Sequence, residues 1–161
     1  MVGTKAGWAM AAVAVAGLVA SGVAHAQTKG AAPNFAIAVT LSPAAAKRVG
    51  GLKEAITVAA YYYGEPTKAA AKKADEIGQI DLGSEEIRLG SAGGTATFTG
   101  KGFKADRLGW VVGREGRVNI NVYTARLVHP DNLLDCGLFE DTLAVAQGRT
   151  IPMTCKLIGE K

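Results

Sequence analysis

Cys136 and Cys155 are the only two thiols of a 161-residue chain, and His129 shares the imidazole chemistry with His25 alone. The cysteines lack the Cys-x-x-Cys spacing of redox and zinc sites, and no histidine cluster lies near them. A structural disulfide, Cys136–Cys155, is therefore expected, as is usual for paired cysteines in an oxidising compartment. Closing a loop of about 20 residues would contribute roughly 3 kcal/mol in the chain-entropy model. His129 precedes Pro130 in a polar loop, without a Gly-x-Ser-x-Gly element, so it reads as a turn histidine rather than a hydrolase base.

Carboxylates offer a second chemistry. Glu85, Glu86, Asp131, Asp135, Glu140 and Asp141 could supply an acid/base pair of the glycosidase kind. Fourteen acidic residues would produce such pairs by chance, so the signal has little content. Asp131-Asn132 with Asp135 is too sparse for a dedicated calcium loop. Gly100-x-Gly102 is too short to cradle a phosphate. The sequence thus predicts no nucleophile, metal or phosphate site, no catalytic residues and no cofactor.

The aromatic residues carry more. In Tyr61-Tyr62-Tyr63, alternation along a strand puts Tyr62 with Ile56 and Val58 and sends Tyr61 and Tyr63 to the other face. Tyr123, Asn119 and Asn121 likewise oppose Val118, Ile120 and Val122. If the two strands are neighbours, Tyr61, Tyr63, Asn119, Asn121 and Tyr123 make one polar, aromatic surface. Such rigid amphipathic side chains suit contact with a sugar or a protein.

The elements that must position these residues are mostly strands. Phe35, Ile37, Val39 and Leu41 alternate with small residues, and Ser42-Pro43 opens one or two helical turns that Gly50 should stop. Residues 55–63 form a second strand, ended by Pro66. Residues 67–77 read as a solvated loop with some helix. Ile80 and Leu82, then Ile87 and Leu89, alternate on either side of Gly83-Ser84. Residues 95–99 are β-branched, 117–126 alternate cleanly, and 150–158 place Ile151, Met153, Cys155 and Leu157 on one face. Residues 133–147 show helical spacing before Gly148. Some seven short strands with Gly-rich turns predict a mainly β chain, an antiparallel β-sandwich that is Ig-like or transthyretin-like in general architecture, with short helical inserts.

Residues 1–26 differ from the rest. Lys5 precedes an uncharged run over residues 6–23, and Ala24-His25-Ala26 sets small residues before a cut between Ala26 and Gln27. That is the layout of a secretory signal peptide. The run is built mainly of Ala, Gly and Val, too weakly apolar for a good membrane anchor. Residues 27–33 read as a linker and 34–161 as one domain. The net charge of +4 becomes +3 without Lys5, and it is spread rather than bunched, which argues against nucleic acid. The expectation is a periplasmic or secreted, non-catalytic binding or accessory module without a stable membrane span after cleavage, its partner an envelope protein or glycan. The competing expectations are a small carboxylate-dependent hydrolase and a structural envelope component that lends an edge strand.

Overall fold

A computed structural model describes residues 1, 3 and 32–161; the expected signal peptide, its cleavage point at Ala26 and Gln27, and the linker up to residue 31 lie outside the described residues. Among the described residues, eight strands form two four-stranded sheets. These are β1 (Phe35–Leu41), β2 (Ile56–Gly64), β3 (Ile80–Leu89), β4 (Gly94–Phe98), β5 (Arg117–Thr124), β6 (Leu134–Asp135), β7 (Phe139–Thr142) and β8 (Thr150–Leu157). One sheet runs β4-β1-β8-β6 and the other β3-β2-β5-β7. The chain is a mainly β sandwich, as its alternation predicts. One pairing departs from the antiparallel rule: β1 and β8 run parallel, with Ala36 opposite Thr150 and Leu41 opposite Cys155.

The period-two pattern explains the core. Phe35, Ile37 and Val39 of β1, Phe98 of β4 and Ile151 and Met153 of β8 meet Val58 and Tyr62 of β2, Leu82 of β3 and Ile120 of β5 in one buried cluster. Each large aliphatic side chain withdrawn from water there contributes about 1.5–3 kcal/mol. Phe35 stacks on Phe98 at 5.0 Å, and Phe103 meets the Tyr62 ring edge-on at 5.5 Å. Both sheets, this cluster and the Cys136–Cys155 disulfide fall within residues 35–157, all of which a chain starting at Gln27 retains.

Local chemistry shifts several expected boundaries. Helix α1 (Pro43–Leu52) starts as expected, with Ser42 Oγ accepting the Ala45 N–H at 3.1 Å. It runs through Gly50 and Gly51, and Lys53 ends it in the left-handed conformation, φ 53°. Residues 68–73 form a short 3-10 helix capped by Thr67.

The helix expected over 133–147 is absent. That stretch holds β6, β7 and only the four-residue α2 (Leu143–Ala146). Its edge strands pair with β8 and β5, Gly137 adopts φ 69°, and Cys136 is tied to Cys155; sheet hydrogen bonds and the crosslink override the helical spacing. Strand β3 runs unbroken through Gly83, absorbing one extra residue at a bulge where Tyr62 faces Gly83 and Tyr63 faces Asp81. Glycine is required there: at φ 99°, a Cβ would lie 2.0 Å from the Gly102 carbonyl oxygen.

Candidate functional site

The β2–β5 register brings the expected surface together. Tyr61 stands opposite Asn119, Ala59 opposite Asn121, and Thr57 opposite Tyr123, while Tyr63 faces Arg117. Residues directly opposite share a face, so all five predicted residues lie on the outer side of the β3-β2-β5-β7 sheet. The outer strands extend it, with Glu86 beside Ala59 on β3 and Glu140 beside Asn119 on β7.

The five residues differ in accessibility. Tyr61, Tyr123 and Asn119 are half-buried and Asn121 is exposed, whereas Tyr63 is only 6% exposed. Tyr63 therefore underlies the face rather than presenting itself. Its ring stacks on Tyr61 at 5.8 Å with the planes 11° apart, holding Tyr61 in place. Its hydroxyl donates to Glu140 and accepts from Arg117 Nε at 3.2 Å. Glu140 also accepts from Asn119 Nδ2 at 3.3 Å and pairs with Arg117 at 3.7 Å. At the other end Tyr123 donates to Glu86 at 3.3 Å, under the Arg126 guanidinium 5.9 Å from its ring. Between the two ends lies Ala59, flanked by Glu86 and Asn121; Asn121 makes no side-chain hydrogen bond among the described residues.

The electrostatics suit fixed polarity more than proton transfer. Burial, followed by the charges of Asp75 and Asp81, raises the Tyr61 pKa. Burial and Glu140 raise Tyr63 against the opposing Arg117, and burial with Glu86 raises Tyr123. Hydrogen bonds from Tyr63 and Asn119, with Arg117 beside them, outweigh desolvation and hold Glu140 below the usual carboxylate value. Each shift moves its group away from neutrality, whereas a general acid or base works best with a pKa near the operating pH.

The remaining sequence candidates serve the fold. Asn132 Oδ1 accepts the Thr124 and Leu134 N–H groups, and Asp135 accepts the Gly137 N–H and meets Lys156 at 4.0 Å. His129 Nδ1 contacts the Asp131 backbone within its own turn. Glu85 takes the Tyr62 hydroxyl and the N–H groups of Thr99, Gly100 and Lys101, joining β3 to the end of β4. Asp141 accepts its neighbour's N–H, from Thr142, at 2.7 Å. Among the described residues no group of three or more His, Cys, Asp or Glu side chains is arranged to hold a metal ion.

Two functional neighbours escape the sequence reading in different ways. Arg117 has the same parity as Asn119 and was open to the same argument. Glu140 joins the face only through β7, which the helical spacing conceals. With this geometry in hand, no family model, curated protein or solved structure matches the chain.

Proposed function

We propose that the protein is an exported, non-catalytic binding or accessory module of the cell envelope, whose ligand surface is the outer face of β3-β2-β5-β7. The observation that carries this reading is the single array of Tyr61, Asn119, Asn121 and Tyr123, set between Glu86 and Glu140 and braced from beneath by Tyr63. An aromatic plane beside amides and carboxylates matches the apolar faces and hydroxyls of a glycan, or a polar protein surface. Export is supported by the signal-like residues 1–26 and by the disulfide, which suits an oxidising compartment. Among the described residues no helix is long and apolar enough to cross a membrane.

The lowered pKa of Glu140 weighs against the hydrolase reading, because a glycosidase acid needs a raised one. Glu86 and Glu140 also rise from the two edge strands of the sheet, three strand spacings or about 14 Å apart at the backbone.

The test pairs a glycan array and an envelope pull-down with Tyr123→Ala. The variant should fold like the parent and lose about fivefold or more in affinity, the ordinary contribution of a tyrosine anchor. A folded variant with undiminished binding would remove this face from consideration. Export has its own check: protein from the envelope fraction should show the intact mass of a chain beginning at Gln27, and a mass that includes residues 1–26 would reject cleavage.

A further inference from the structure

The end of the sandwich beside α1 carries a feature that the sheet face does not explain. Leu127 and Val128 are consecutive and 62% and 58% exposed, at the tip of the loop between β5 and β6. This tip is held in place. The fully buried Glu54 carboxylate accepts the N–H groups of Leu127 at 3.1 Å, Val128 at 2.7 Å and His129 at 2.8 Å, and Arg126 enters the loop at φ 57°. The fold thus invests a buried carboxylate in presenting two aliphatic side chains to solvent. Most other exposed apolar residues, such as Ile77 and Val112, stand singly.

Cations flank the tip along the chain and across the sheet register. Lys53 immediately precedes Glu54, and Arg126 immediately precedes Leu127. Arg88 lies opposite Thr57, itself opposite Tyr123, over which Arg126 sits. Lys47 and Arg48 follow within about 10 Å of Lys53 along α1, at 1.5 Å per residue. Lys47, Arg48, Lys53 and Arg88 have no ion pair among the described residues. The acids nearby are Glu54, whose charge is met by its backbone N–H donors, Asp131 in the loop, Glu86, engaged by Tyr123, and Glu160, engaged by Ser42 and the Leu157 N–H.

We infer that this end docks on an anionic phospholipid surface, with Leu127 and Val128 entering the acyl boundary and the basic rim meeting the phosphates. Two properties select a bilayer over a protein. A two-residue tip is far smaller than the roughly 1,000 Å² a specific protein interface needs, while a bilayer accepts an apolar tip of any size. The rim charge is complementary to acidic headgroups, each nearby Lys or Arg strengthening attachment about fivefold.

The test is co-sedimentation of the chain from Gln27 with vesicles of phosphatidylglycerol and phosphatidylcholine, or of phosphatidylcholine alone. This chain is used so that the uncharged run over residues 6–23 adds no lipid contact to the measurement. Binding should require phosphatidylglycerol and weaken as salt is added. Leu127→Ser with Val128→Ser should lower it about tenfold or more, and Arg48→Gln with Arg88→Gln by a similar factor, with every variant melting like the parent. Absence of binding to the acidic vesicles would overturn the inference, as would binding that survives the double serine change or ignores salt. So would a parent dimer in sedimentation that the serine variant abolishes, since the tip would then be a contact between copies.

Discussion

Replacing Glu54 by glutamine should destabilise the fold by about 3–5 kcal/mol at neutral pH. Glu54 is fully buried, and its two oxygens take four backbone donors. Oε1 accepts from Ala55 at 3.0 Å and Leu127 at 3.1 Å, and Oε2 from Val128 at 2.7 Å and His129 at 2.8 Å. Glutamine keeps the shape but turns one oxygen into an amide nitrogen facing two donors. Two hydrogen bonds to a charged acceptor are lost, at about 1.5 kcal/mol or more each, and two part-buried N–H groups are left facing another donor. The melting temperature should fall by about 10–20 °C for a domain of this size. The pH dependence makes the argument specific. Burial works to raise the Glu54 pKa, but the four N–H donors outweigh it and hold the pKa below its usual value. A carboxylate with a depressed folded pKa stabilises fully above its unfolded pKa, and that stability is lost as pH falls through the folded value. The gap between parent and Glu54→Gln should therefore be widest near neutrality and close in acid. Urea unfolding at a series of pH values reads this directly. A gap under 1 kcal/mol at pH 7, or one that persists unchanged in acid, would refute the reasoning.

Replacing both Cys136 and Cys155 by serine should cost about 3 kcal/mol in urea unfolding, from the loop their 19-residue separation closes; the unfolded, unreduced parent should take up no thiol reagent. All four tyrosines have raised pKa values, each chiefly through burial. Ultraviolet titration of the folded protein should therefore show none ionising at the ordinary value, and stability should decline as pH rises above about 10, where the unfolded chain begins to lose tyrosine protons. A normal tyrosine step in the folded protein would contradict the contacts drawn for the sheet face.

The strands were legible because each buries one face and therefore alternates, and the same parity put Tyr61, Asn119 and Tyr123 together before any neighbour was known. Three features were not, for separate physical reasons. Residues 133–147 have spacing that fits a helix, and only pairing with β5 and β8 makes them strands, so Glu140 was hidden as a member of the face. Tyr63 shares the parity of Tyr61, but alternation is silent about what covers a side chain, and Tyr63 is buried, with the Tyr61 ring stacked on it and Arg117 and Glu140 at its hydroxyl. Glu54 sits between Lys53 and Ala55 with no local pattern at all. Three of its four partners, Leu127, Val128 and His129, lie more than 70 residues away, and a carboxylate surrounded by N–H groups leaves no trace in periodicity.

The parallel pairing of β1 with β8 has a mechanical consequence. The described chain enters the sheet at Phe35 and leaves it at Leu157, at opposite ends of two adjacent strands that run the same way over Ala36–Leu41 and Thr150–Cys155. Tension between those points slides one strand along the other. The hydrogen bonds of that ladder are then loaded together in shear, instead of opening one after another as they would if the strands were peeled from one end. Rupture must break the whole ladder at once, and the disulfide keeps the far side of β8 fastened to the segment that follows β6. A domain connected in this way resists being stretched between Phe35 and Leu157 more strongly than its modest size suggests.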